Sequence, residues 1–150
     1  MDEEHTFQVV VGVDGSPQSL LALEWAVTEA RRRHGQLRVV TGWQFPAVAA
    51  GMESLPGEPD AFQRVAQRLQ VRALQEVSCD GVAVSREIHQ GPAAGVLLTA
   101  SKDADLLVVG SRGHGGFANL LLGSVSNQIA HHATCPVLII RPKRPARAAI

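Results

Sequence analysis

Two rhythms of hydrophobic positions alternate along this chain. Short continuous runs of aliphatic and β-branched residues mark strands buried on both faces, and the stretches between them return an apolar residue every three or four positions. Phe7 to Val13 (FQVVVGV) is the first run, and it ends in Asp14-Gly15-Ser16-Pro17. Ser16 before Pro17 reads as an N-cap followed by proline at the first helical position. Leu20, Leu23, Val27 and Ala30 then recur at helical spacing, until Arg31-Arg32-Arg33 and Gly35 close the helix. Leu37 to Trp43 is the second strand, and Phe62, Val65, Ala66, Leu69 and Ala73 mark the second helix. Val82 to Ile88 alternates as a third strand, and Gly91-Pro92 opens a short third helix with Val96, Leu97 and Ala100 on its apolar side. Asp105 to Val109 is the fourth strand, Ser124 to about His132 the fourth helix, and Pro136 to Ile140 the fifth strand.

Strands that alternate with helices imply a parallel sheet, right-handed crossovers and helices on both faces. The expected architecture is therefore α/β with a five-stranded parallel sheet, and its order is supposed to be that of the usual doubly wound type, 3-2-1-4-5. In such a sheet ligands bind beyond the carboxyl ends of the strands, where the strand order reverses. That crevice would open between Val13-Asp14-Gly15-Ser16 and Gly110-Ser111-Arg112-Gly113. The 150 residues suit one domain, with a core over about 7–141 and a basic tail over 142–150. The proline- and glycine-rich stretch from Gln44 to Pro59 is long enough to expect a functional or mobile loop.

Composition narrows the partners. Fourteen Lys and Arg balance fourteen Asp and Glu, so global charge favours neither nucleic acid nor an anionic membrane. No apolar run could cross a bilayer, and the acidic MDEEHTFQVVV start is unlike an export signal, so a cytoplasmic location is expected. Cys79 and Cys135 lack metal-ligand spacing and read as two reduced thiols; no metal site is expected.

The chemistry concentrates after the fourth strand. Gly110, Gly113 and Gly123-Ser124 follow the spacing Gly-x2-Gly-x9-Gly-Ser between a strand and a helix. A glycine loop entering a helix presents backbone N–H groups and the positive end of the helix dipole, a setting for phosphate. Gly113, Gly123 and the N–H groups of Ser124 and Val125 would face phosphates, with the hydroxyls of Ser124 and Ser126 as further donors. Asp14, an anion, suits ribose hydroxyls or an adenine amine. Thr41 to Trp43 would wall the space for a base, although Trp43 alone reads more readily as core. Arg112 and His114 could pair with phosphate or be solvated loop residues. The Asp14 turn could equally be only a helix cap. Walker, dinucleotide, pyrophosphatase-loop and nucleophile-elbow motifs are absent.

With these residues in place, Val9 to Ala26 and Val108 to Arg141 resemble the universal stress protein family, and the Gly-x2-Gly-x9-Gly-Ser match is to its ATP-binding branch. The resemblance implies a Rossmann-like fold, ATP held between Asp14 and the glycine loop, and base contacts at Val40 and Thr41, where Gly42 leaves space. It also implies homodimers built through the fifth strand, residues 136–141, whose apolar edge would otherwise be unpaired. The expected ligand-binding set is Val13, Asp14, Gly15, Ser16, Val40, Thr41, Gly110, Ser111, Arg112, Gly113, Gly123, Ser124, Val125 and Ser126, with ATP as ligand and Mg on its phosphates as an option. No acidic residue near the glycine loop is placed to hold a metal or orient a water, so a nucleotide-responsive stress or signalling module is expected, with slow hydrolysis at most. Two alternatives stand beside it: a cyclic AMP or AMP sensor on the same site, and a nucleotide-free dimerisation scaffold.

Overall fold

The computed structural model describes residues 4–45, 60–112 and 122–143. Among these residues nine elements alternate: β1 (Gln8–Gly12), α1 (Pro17–Arg32), β2 (Gln36–Trp43), α2 (Ala61–Glu76), β3 (Ala83–Gln90), α3 (Ala93–Ala100), β4 (Leu106–Gly110), α4 (Ser124–His132) and β5 (Val137–Ile140). All strand pairs are parallel, in the order β3-β2-β1-β4-β5. This is the expected order. β1 is central because its residues are apolar on both faces: Val9, Val10 and Val11 are each fully buried.

Period-two alternation sends those three valines to different layers. Val9 and Val11 pack with Leu23, Ala26, Val27 and Ala30 of α1 and with Leu37, Val39 and Val108. Val10 packs on the other face with Val40, Leu97, Leu107, Val109 and Ile129. The helices thus lie on both faces, α1 and α2 opposite α3 and α4. α1 starts as its sequence dictates: the Ser16 Oγ accepts from the Ser19 N–H at 3.2 Å, and Pro17 occupies the first turn.

Two elements depart from their sequence pattern. β3 reaches Gln90 rather than ending at Ile88, because it pairs along the whole of β2, down to Gly42 with His89 and Trp43 with Gln90. Backbone pairing carries these polar residues into a strand that hydrophobicity alone would end earlier. On α2, Val65 is exposed although it falls in the apolar repeat, and the polar Gln70 is fully buried between Ala66 and Ala73. The inner face of α2 is centred on that glutamine.

From the central β1 the chain winds one way to β2 and β3 and the other way to β4 and β5. The crossovers therefore diverge at the carboxyl ends of β1 and β4, which leaves a crevice between them. Among the described residues, no helix is long and apolar enough to cross a membrane.

Candidate functional site

The turn that leaves β1 is held by its own side chains. The Asp14 Oδ1 accepts from the Ser16 N–H at 2.8 Å, and Ser19 Oγ donates to the Ser16 carbonyl at 2.9 Å. Gly15 has φ +84°, a conformation glycine adopts freely, and a Cβ there would come within 2.8 Å of Leu69 Cδ2. Asp14 is therefore both a turn-former and a wall of the crevice, so the capping and binding readings of this residue are compatible.

The end of β4 is tied down from two directions. The Gln18 Oε1 of α1 accepts from the Ser111 Oγ–H and from the Arg112 N–H, both at 2.7 Å. The Ser111 carbonyl accepts from the Gly123 N–H at 2.7 Å and from the Ser126 hydroxyl at 2.8 Å. Ser111 thus fastens the exit of β4 to the start of α4, so the two ends of the glycine segment meet. Gly110 lies against α1 so closely that a Cβ would stand 3.0 Å from the backbone carbonyl of Gln18. Gly123 caps α4 in extended conformation with no side-chain cap. The N–H groups of the first helical turn have no partner within a helix, and they carry its positive dipole end.

Between these two ends lies a cavity of about 220 Å³. Gly12, Val40, Gly42, Leu97 and Val109 form its apolar part, while Asp14, Ser16, Ser19, Arg112 and Gly123 to Ser126 bring its polar groups. An apolar slot beside a cluster of N–H and hydroxyl donors is the surface that a base carrying a phosphate requires. Asp14 is the one carboxylate and Arg112 the one guanidinium among its described lining residues.

Of the residues expected from sequence, Val13, Asp14, Ser16, Val40, Gly110, Arg112, Gly123, Ser124, Val125 and Ser126 all line this cavity. Gly15, Thr41 and Ser111 stand behind it. Thr41 is buried on the α2 face, the opposite side of the sheet from Val40 and Gly42. Gly113 and His114 lie outside the described residues, as do 46–59 and 144–150. Trp43 is not part of the lining; it stacks edge-on with Phe45, which stacks in turn on Phe62.

Sequence reasoning did not single out Gln18, Ser19, Ala93 or Leu97 for the site. Leu97 read only as part of the apolar side of a short helix, Ala93 carried no signal of its own, and nothing in a lone glutamine announces a clamp. Gly42, expected to leave space for a base, does line the cavity, and strand parity could have found Gly12, which shares a face with Val10.

Outside the cavity, Arg38 and Glu87 form a bidentate pair at 2.6 and 3.0 Å beside α3. The hydrogen bond from Arg38 pulls the Glu87 carboxyl down to about 2, with His89 assisting. Both cysteines are free, and burial pushes their thiols up. Among the described residues no three His, Cys, Asp or Glu side chains gather as a metal site.

The sequence profile of the universal stress protein family matches residues 6–141. The chain belongs to this family. A universal stress protein of Mycolicibacterium smegmatis is 39% identical over 139 residues, covering 90% of this chain and 46% of its own length. Universal stress protein Rv2005c of Mycobacterium tuberculosis is 40% identical over 142 residues, covering 93% of this chain and 47% of its own. The chain thus spans about half the length of these curated relatives. Among solved structures, a universal stress protein in complex with cAMP is 31% identical, with a TM-score of 0.58, covering 89% of this chain and 95% of that one. The universal stress protein UspA from Lactobacillus plantarum, at 22% identity and a TM-score of 0.72, covers 93% and 100% and shares the fold.

Proposed function

We propose that this chain is an adenine-nucleotide-binding module of the family's ATP-binding branch, with ATP as its ligand. The observation that carries the reading is convergence. Two segments nearly a hundred residues apart, the Asp14 turn and the Gly110–Arg112 exit, enclose one cavity with the uncapped start of α4. In this reading the base lies on Val40, Gly42 and Leu97, where backbone groups at the end of β2 can read its edge. Asp14 accepts from ribose hydroxyls or the adenine amine. The N–H groups of Ser124, Val125 and Ser126, with the glycine loop through Gly113, hold the phosphates.

The donor set fits polyphosphate without an all-protein metal cage. Mg would enter with the phosphates rather than through side chains. A single carboxylate among the described lining residues, already engaged in its own turn, favours binding over efficient hydrolysis, so the module acts by changing conformation or partners when nucleotide binds.

A second ligand is favoured by a specific observation: the 31% identical relative was solved with cAMP. Calorimetric titration with ATP and magnesium, with cyclic AMP and AMP in parallel, decides between them. Saturable ATP binding near one per chain, tighter than cyclic AMP, supports the ATP reading. Preference for cyclic AMP makes the cavity a second-messenger site, and no binding by nucleotide-stripped protein leaves a scaffold.

The reading includes a homodimer paired through β5. Val137, Leu138 and Ile139 are all partly exposed on this edge strand, and an apolar edge left open invites another copy. Ile139→Lys is expected to convert the dimer to monomer in light scattering; an unchanged mass would remove β5 as the interface. A cytoplasmic location completes the reading.

A further inference from the structure

One polar chain crosses the apolar layer between α2 and the sheet. Gln70 is 0% exposed. Its Nε2 lies 3.1 Å from the Val39 carbonyl, 3.1 Å from Thr41 Oγ1 and 3.0 Å from the Glu87 carbonyl. Its Oε1 accepts from the Arg86 Nε–H at 3.2 Å. Thr41, itself 3% exposed, donates its hydroxyl to the Val13 carbonyl at 2.7 Å.

The direction of every bond follows from the donors and acceptors present. A carbonyl only accepts, so the single proton of Thr41 goes to Val13. Its oxygen must then accept, and Gln70 has to turn its NH2 group toward it. The Arg86 guanidinium only donates, so it meets the amide oxygen. Both ends of the chain forbid the flipped amide.

A buried amide at the centre of a helix face costs stability unless satisfied, and an aliphatic residue would pack there without that demand. What the amide supports is the exit of β1. Beyond the last ladder pair, Gly12 with Val40, the Val13 N–H donates to the Val40 carbonyl at 3.0 Å. The Val13 carbonyl is taken by the Thr41 hydroxyl. Both backbone groups of Val13 are thus fixed to β2, one residue before Asp14. Leu69, the neighbour of Gln70, packs under Gly15 and supports the same turn from below.

We infer that Thr41 and Gln70 are positioning residues for the nucleoside end of the cavity. From the face of the sheet opposite the ligand they set the direction in which the Val13–Ser16 turn leaves β1, and so where the Asp14 carboxylate stands. This rests on the nucleotide reading of the cavity.

Thr41→Val keeps the shape and removes the hydroxyl, whereas Thr41→Ser keeps the hydroxyl. Amide hydrogen exchange on ligand-free protein follows Val13 and Ser16, with Val10 as the reference in the core of β1. Calorimetry follows adenosine, ATP and inorganic triphosphate. Thr41→Val is expected to speed exchange at Val13 and Ser16 about tenfold relative to Val10. It is expected to weaken adenosine and ATP by about fivefold to tenfold and leave triphosphate within about twofold. Thr41→Ser restores native behaviour, and Gln70→Leu repeats the effect of Thr41→Val; if Gln70→Leu does not fold, the Thr41 pair decides. Equal acceleration at Val10 and Ser16, equal losses for ATP and triphosphate, or no rescue by serine would overturn the inference and leave Thr41 a general stabiliser. If native protein binds none of the three ligands, the nucleotide reading fails by itself, and the exchange rates still decide whether the hydroxyl holds the turn.

Discussion

Removing the amide of Gln18 tests how the two ends of the cavity are joined. Its Oε1 is the shared acceptor for Ser111 Oγ–H and Arg112 N–H, both at 2.7 Å. Gln18→Leu keeps comparable bulk and deletes that acceptor. Each intramolecular hydrogen bond is worth about 1 kcal/mol net, and Gln18 is only partly buried, so water can recover part of the loss. The expected destabilisation is about 1–2 kcal/mol, which lowers the melting temperature by about 3–6 °C in a chain of this size. Freed from α1, the β4 exit no longer presents Gly110 to Arg112 at a fixed distance from Asp14. Triphosphate and ATP affinities are expected to fall about tenfold, equivalent to about 1.4 kcal/mol, and adenosine much less. Gln18→Glu separates the two effects. It retains acceptor oxygens for both donors, so urea midpoints stay near native, but its negative charge still weakens phosphate binding. Urea unfolding and calorimetry on the three proteins provide the readout. Equal destabilisation by Leu and Glu, or native triphosphate affinity in Gln18→Leu, would refute the clamp.

Three further outcomes follow from the same geometry. Glu87 has its folded carboxyl pKa lowered from 4.5 to about 2, so its pairing with Arg38 stabilises the protein fully above about pH 4.5 and loses that contribution as pH falls toward 2. Glu87→Gln should therefore flatten the acid limb of the urea midpoint across that window, and an unchanged acid limb would count against the pairing. Ser16→Ala removes the cap of α1 and should cost about 1 kcal/mol in unfolding free energy, with a loss below a few tenths arguing that the cap is idle. Gly15→Ala forces a side chain into φ +84° and toward Leu69, so destabilisation of at least about 1 kcal/mol is expected, and a native-like melting temperature would refute the strain.

The strands and helices were legible because periodicity reports burial, whereas the strand order and the position of the crevice came from the usual topology of such sheets and from the family resemblance. FQVVVGV and LLVVG carry the pattern of strands covered on both faces, and Ser16-Pro17 that of a helix start. The turns that wall the cavity were legible because they are written in glycine, serine and aspartate, whereas its α3 wall, Ala93 and Leu97, was not. The struts behind them were not. Gln18 and Gln70 are ordinary helix residues in sequence, and their importance comes from what stands opposite them once strands far apart in the chain are paired. Thr41 illustrates the difference: its place at the end of β2 follows from sequence, but the face it occupies depends on register, and one residue of shift exchanges the faces. His89 and Gln90 joined β3 for a reason hydrophobicity does not carry, since β2 offered them backbone partners.

The cavity floor has an evolutionary corollary. A Cβ on Gly12 would stand 2.7 Å from Leu97 Cδ1, so the length of one side chain sets the room left for the other. The two positions, 85 residues apart in sequence, are expected to co-vary among descendants of this chain. Leu97 Cδ1 is the far end of a flexible side chain, so alanine at position 12 is expected to turn Leu97 aside and narrow the slot, and a shorter residue at position 97 to widen it again. Adaptation of this slot to a differently shaped ligand can therefore begin on β1 or on α3.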